Sequence, residues 1–152
     1  MPEIIRYTTP QALADTTSHD ECTIDLAGRA LTNQTVAGNL SAAVAQSPCA
    51  GNWSGVEAID LSSNWLSGLP EDLFSATTGL ISLNLRSNQL TSLAEDLFSA
   101  TTALSTLYLW SNQLTSLAED LFSATTGLSY LDLKSNQLTS LAEDLFSATT
   151  AL

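Results

Sequence analysis

The 16 residues SNQLTSLAEDLFSATT occur three times without a single change, at 87–102, 111–126 and 135–150. Aligned on a Leu-x-Leu core, the chain divides into units 56–79, 80–103, 104–127 and 128–151, a period of 24 residues, and Leu152 opens a fifth. A fixed period of this length permits few folds. One unit is too small to bury its own apolar side chains, so the units must stack and share a continuous core, which makes a solenoid.

Two patterns alternate within a unit. In Leu104-Ser-Thr-Leu107-Tyr-Leu109, Leu107 and Leu109 fall on one side of an extended chain and Tyr108 on the other. This predicts a short strand, and stacking gathers the strands into one parallel sheet. Asn112, Leu114 and Leu117 then turn the chain inward, and AEDLFSATT offers Leu121 and Phe122 to the core from a short helical or 3-10 piece. Ser116 followed by Glu119 fits a capping box, and Glu119 and Asp120 stand where a helix N-terminus favours negative charge. The predicted fold is an α/β solenoid with a parallel concave sheet, short helical or 3-10 convex segments and a helical N-terminal cap.

The pattern LxxLxLxxNxLxxL, with a Phe five residues on, resembles the typical leucine-rich repeat of Toll-like receptor ectodomains, small leucine-rich proteoglycans and lamprey variable lymphocyte receptors. The match covers all four units. It implies the solenoid fold directly and leaves function open, because one scaffold of this kind carries many ligands. It also implies a structural role for the column Asn64, Asn88, Asn112 and Asn136, whose buried amides would satisfy backbone groups at the turn. Two features depart from the family pattern. Thr77, Thr101, Thr125 and Thr149 stand where a Leu is expected, and the Pro after the fourth Leu survives only as Pro70, with Ala94, Ala118 and Ala142 elsewhere. These departures predict altered packing on the convex side.

Residues 1–55 lie outside the regular period and are expected to form an N-terminal cap, with the repeats occupying 56–152. Thr9-Pro10 marks a helix start, predicting a short helix over 10–16. CTIDLAGRAL (22–31) resembles a degenerate first strand, with Ile24 and Leu26 in the Leu-x-Leu slots. TVAGNLSAAVAQ (35–46) predicts a longer helix, ended by Ser47-Pro48. The two cysteines, Cys22 and Cys49, bracket this segment and read as a disulfide staple in an oxidising compartment, or as two reduced core thiols otherwise. Three sequons, at Asn33, Asn39 and Asn52, lie in the same third and become N-glycosylation acceptors if the chain is secreted. A cap covering the first repeat's open edge is the simpler role for the segment; a ligand-binding extension is the alternative.

Four basic residues against sixteen acidic ones give a net charge of -12. This balance opposes nucleic acid and anionic membrane surfaces, which need clustered Lys and Arg. No apolar run is long enough to insert in a membrane. The first twenty residues lack a basic start followed by an apolar core, so a targeting segment would have to lie upstream of an extracellular or cell-surface chain, the alternative being a cytosolic one. The sequence stops in register, at the Leu opening a fifth unit, so the array is expected either to continue or to be covered by another molecule, including a head-to-tail copy.

Chemistry finds little purchase. His19 sits in TTSHDE with no nucleophile to activate, and the cysteine spacing does not suit zinc. The acid pairs Glu71-Asp72, Glu95-Asp96, Glu119-Asp120 and Glu143-Asp144 form a column that resembles a calcium site only loosely; solvated acids at helix ends explain them. No enzyme, cofactor or metal is expected. Variation among the units points elsewhere. One strand column reads Asp60, Asn84, Tyr108, Asp132; the next Ser62, Arg86, Trp110, Lys134; a flanking one Ala58, Ser82, Thr106, Tyr130. All alternate with core leucines and should face the concave side, forming a patch about 15–20 Å across at strand spacing. Tyr108, Trp110, Tyr130, Arg86, Asn84, Asp132 and Lys134 are therefore the expected ligand-binding residues, of types enriched in paratopes and hot spots. The resemblance to variable lymphocyte receptors implies the same face. A structural ladder, with Arg86 and Lys134 stacked on both faces of the Trp110 indole, is the competing account. Partners expected are a protein or glycan ligand, and a further copy of the chain at the last repeat.

Overall fold

The computed structural model describes residues 22–49 and 51–152. The predicted helix over 10–16 and His19 lie outside the described residues. Five strands, β1 (Cys22–Asp25), β2 (Val56–Asp60), β3 (Ser82–Asn84), β4 (Thr106–Tyr108) and β5 (Tyr130–Asp132), form one parallel sheet in chain order. Register follows the period: Ile59, Leu83, Leu107 and Leu131 align, and Ile24 pairs with Ile59. The degenerate first strand is thus a true rung of the sheet, with Leu26 donating its N–H to Asp60 O at 2.8 Å.

Each strand ends in a turn that depends on one backbone conformation and one side chain. Ser63, Ser87, Ser111 and Ser135 adopt positive φ between 54° and 57°, and Gly28 adopts 64° at the matching place in the first rung. That conformation costs a residue with a Cβ about 1–2 kcal/mol, so the surroundings must hold it. The following Asn supplies the hold. Asn112 donates from Nδ2 to Leu85 O at 3.0 Å and to Leu109 O at 2.9 Å, while its Oδ1 accepts from Leu90 N at 3.1 Å. One carboxamide thereby bonds its own unit and the preceding one. Asn88 repeats the pattern with Leu61 O, Leu85 O and Leu66 N, Asn136 with Leu109 O, Leu133 O and Leu114 N, and Asn64 with Leu26 O, Leu61 O, Arg29 N and Leu31 N.

Behind the sheet the leucines form a continuous core, backed by a column of phenylalanines. Phe74, Phe98, Phe122 and Phe146 stack with ring centroids 6.4, 6.1 and 5.9 Å apart. The convex connections that carry them differ from the expected helical pieces. They are successive turns closed by separate i to i+3 bonds, such as Leu121 N to Ala118 O, Ser123 N to Asp120 O and Thr125 N to Phe122 O. A segment this short cannot repay helix nucleation, and packing of Leu121 and Phe122 fixes its path instead. With no helix N-terminus to satisfy, the Ser116–Glu119 capping box does not form, and both side chains are exposed.

The departures from the family pattern have local explanations. Thr77, Thr101, Thr125 and Thr149 are buried, and each Oγ1 donates to the carbonyl three residues back, on Phe74, Phe98, Phe122 and Phe146. A hydroxyl so paired can occupy an apolar slot without an unsatisfied donor. Pro70 O accepts from Leu73 N at 3.1 Å, and Ala94, Ala118 and Ala142 close the same turn at 3.1, 3.2 and 3.3 Å. Proline is therefore dispensable to this turn.

The N-terminal side is closed by α1 (Val36–Gln46), whose Val36, Leu40, Ala43 and Val44 share one buried face. Pro48 cannot continue a helix, and Ser47 caps the end by donating from Oγ to Val44 O at 2.8 Å. Cys49 returns to Cys22 as a disulfide, Cα atoms 5.7 Å apart, so β1 and the end of α1 are covalently joined. A 3-10 turn (Trp53–Gly55) then leads into β2. It comes so near the first convex connection that a Cβ on Gly79 would collide with Ser54 O, whereas one on Gly127 would meet open space. Ala103 and Ala151 occupy the same slot in the other units.

Two stability measurements follow from this geometry. Gly79→Ala should lower unfolding free energy by about 1–3 kcal/mol through overpacking, while Gly127→Ala should be neutral or add up to about 1 kcal/mol. Equal effects in denaturant titrations would refute the cap–repeat contact. Asn112→Ala, which strands one N–H and two carbonyls, should cost about 2–4 kcal/mol; a loss below about 0.5 kcal/mol would remove the carboxamide from its place in the turn.

Candidate functional site

The concave columns follow from the register. Asp60, Asn84, Tyr108 and Asp132 stand side by side on neighbouring strands, as do Ala58, Ser82, Thr106 and Tyr130. Arg86, Trp110 and Lys134 sit two residues beyond the first of these columns, at the strand ends.

Tyr108 and Tyr130 meet diagonally across β4 and β5, ring centroids 5.1 Å apart and planes tilted by 50°. Tyr130 is 47% exposed and Tyr108 half-buried. On the other side the Arg86 guanidinium lies over the Trp110 ring, 5.7 Å from its centroid. The expected two-sided ladder is one-sided: among the described residues only Arg86 stacks on the indole, and Lys134 extends into solvent. Ser62, although in the outward column, is buried.

Asn84 and Asp132 have work within the fold. Asn84 Oδ1 accepts from Arg86 N at 3.2 Å and its Nδ2 donates to Asp60 Oδ2 at 3.0 Å. Asp132 Oδ1 accepts from Lys134 N at 3.0 Å, Asp60 Oδ1 from Ser62 N at 2.8 Å, and Asp25 Oδ1 from Ala27 N at 3.0 Å. A short Asx side chain thus closes the strand end in four rungs, and Tyr108 interrupts the series. This role was missed in the sequence, although the column Asp25, Asp60, Asn84, Asp132 holds residue types that bond their own backbone two positions on.

Trp65 was also missed. It replaces the Gln of the later units and is 61% exposed, more than any other large apolar side chain described. Comparing units column by column, as at Trp110, would have found it. It lies past the turn of its unit, with its N–H bonded to Leu31 O at 2.9 Å, outside the strand columns that form the patch.

The remaining candidates are dispersed. The acid pairs from Glu71-Asp72 to Glu143-Asp144 are exposed on the convex connections, and among the described residues no three His, Cys, Asp or Glu side chains gather to hold a metal. Of the sequons, Asn33 is engaged through its carboxamide with Ser67 N, Gly68 N and Ser67 Oγ, and Asn39 lies within α1 bonded to Thr35 O. Asn52 is exposed, its Oδ1 accepting from Ser54 Oγ at 2.7 Å. No described helix is long and apolar enough to cross a membrane.

Comparison with known proteins agrees with the geometry. A leucine-rich repeat family model matches residues 54–109 and 102–152. A chain of the Drosophila Toll–Spatzle complex superposes with a TM-score of 0.64 at 36% identity, over 64% of this chain and 13% of that one. The glycosylated form of that complex gives 0.63 at 36% identity, with the same coverage of both chains. The leucine-rich repeat domain of APL1B gives a TM-score of 0.67 at 24% identity, over 86% of this chain and 34% of that one, a likeness of fold. No curated protein matches significantly.

The Arg86–Trp110 contact is exposed on the cation side, so its strength should be modest. A double-mutant cycle with Arg86→Ala and Trp110→Ala should return a coupling of about 0.5–1 kcal/mol. A coupling near zero would mean that the two side chains stand apart in solution.

Proposed function

The chain belongs to the leucine-rich repeat family, and we propose that it is a non-enzymatic recognition module that binds a protein or glycan partner on its concave face. The observation that carries this reading is the patch of Tyr108, Tyr130, Trp110, Arg86 and Lys134. It combines rigid aromatic area with two cations on a sheet whose other side is an invariant core. Tyr, Trp and Arg dominate binding hot spots, Tyr and Trp because they bury large area at small cost in conformational freedom and Arg through its planar, multiply donating guanidinium. Asn84 and Asp132 contribute by holding the strand ends beneath Arg86 and Lys134. The Toll–Spatzle complex, named for two protein partners, makes protein the first ligand class to test.

In this reading residues 1–55 cap the array and 56–152 form it. An extracellular or cell-surface location is supported by the Cys22–Cys49 disulfide, which persists in oxidising compartments. Asn52 is the sequon best placed to carry a glycan, being exposed and free of contacts that hold other parts of the fold together.

Assembly into fibres is a second reading, favoured by the self-similarity of the units: a face that stacks on its neighbour within the chain can stack on the same face of a second copy, in a contact that does not close. Light scattering and negative-stain images across concentration separate the readings: particles that lengthen with concentration support fibres, and a monomer throughout rejects them.

The recognition reading is tested with an array of extracellular proteins and glycans. Trp110→Ala should leave circular dichroism intact and weaken the captured ligand by about 2 kcal/mol or more. Unchanged affinity for every captured ligand would overturn it.

A further inference from the structure

The interrupted Asx series leaves a backbone donor open at the centre of the patch. In the other four rungs the N–H two residues beyond the strand column is taken by an Asp or Asn oxygen, on Ala27, Ser62, Arg86 and Lys134. The equivalent group is the N–H of Trp110. Tyr108 carries no oxygen able to fold back onto it, and among the described residues nothing accepts from it, although Trp110 O accepts from Ser87 N at 3.0 Å. The group sits between the units bearing Arg86 and Lys134. No described carboxylate lies within ion-pair distance of either cation, so two cations flank the group on a chain of net charge -12, while Asp60 and Asp132 of the same face are engaged with Asn84 and with the Lys134 N–H.

Resting on the concave-face reading above, we infer that this N–H is a recognition point for a carboxylate oxygen, supplied by an Asp or Glu side chain of a protein partner. The partner's oxygen would take the place that Asp25, Asp60, Asn84 and Asp132 fill from within the chain, with Arg86 and Lys134 complementing its charge. Hydrogen bonds to an ionised acceptor are shorter and stronger than neutral ones, so charge at the ligand oxygen separates an acidic partner from its amide analogue. The same face carries the tilted Tyr108–Tyr130 pair and the Trp110 indole beneath the Arg86 guanidinium.

The test is a titration followed by assigned amide and indole signals in 15N–1H correlation spectra. The probe is acetyl-Gly-Glu-Tyr-Glu-Gly-amide, with its Gln counterpart and sialyllactose as comparison arms. The acidic peptide should move the Trp110 amide downfield in a saturable way, and the Gln peptide should bind about tenfold more weakly. Tyr108→Asn, which restores the residue of the preceding unit and lets its own Oδ1 take the N–H, should abolish the amide response. Tyr108→Leu, which removes the ring but leaves the N–H open, should keep a saturable amide response at weaker affinity, so that loss of the ring and loss of the donor are read apart. Equal response to the two peptides, an unmoved Trp110 amide, a response to sialyllactose alone, or an unimpaired Tyr108→Asn variant would each overturn the inference. Movement of the indole signal without the amide would do so while leaving the concave-face reading intact.

Discussion

Everything in this fold depends on the asparagine carboxamide that joins each turn to the turn before it. A parallel strand of three residues offers few backbone bonds, too few to hold a sheet together without help. The Asn side chain supplies the missing bonds where the chain leaves the strand, reaching two carbonyls and one N–H in two units at once. It also fixes the left-handed serine beside it, a conformation without intrinsic favour for a residue with a side chain. The leucines contribute most of the burial, but the apolar effect is non-directional and would tolerate a slipped stack. Directional bonds at one slot per unit are what make the register unique.

With register fixed from inside, the convex connection is free of regular structure. Its turns need only bring Leu and Phe to the core, and the phenylalanine column provides the continuity that a helix would otherwise give. This accounts for the tolerance of Ala in place of Pro70 and of Thr in place of Leu. Neither substitution touches the carboxamide bonds, and each retains the local bond that the slot requires.

The stacking order, the strand positions, the cap helix and the disulfide partners were legible in the sequence because each follows from a period, a breaker or a pair of like residues. The convex form was not, since a capping motif such as Ser116–Glu119 predicts a helix only where a helix is long enough to form. The candidate site was legible only as a set of columns in register along the strands. Its internal bonds were hidden because Asp and Asn serve equally as ligand contacts and as local turn acceptors, and sequence alone does not separate the two uses. Trp65 was hidden for a different reason: it stands beyond the turn, outside the alternation that marks the strand face.

That double use of Asx residues defines where the scaffold and the surface compete. Arg86, Trp110 and Lys134 can vary at little cost to the fold, since nothing in the core rests on their side chains. The neighbouring column is different. An Asp or Asn there closes the strand end, and a residue without a short polar side chain gives up a hydrogen bond of about 1 kcal/mol. Units 56–79, 80–103 and 128–151 keep the bond, and unit 104–127 replaces it with an aromatic ring packed beside Tyr130, two residues before the indole that Arg86 covers. A change made only for packing would not favour this slot, because Tyr108 is half-buried on a face that the core does not need. The substitution gives the unit two things at once, aromatic surface and an open donor, and both lie between the units that carry Arg86 and Lys134.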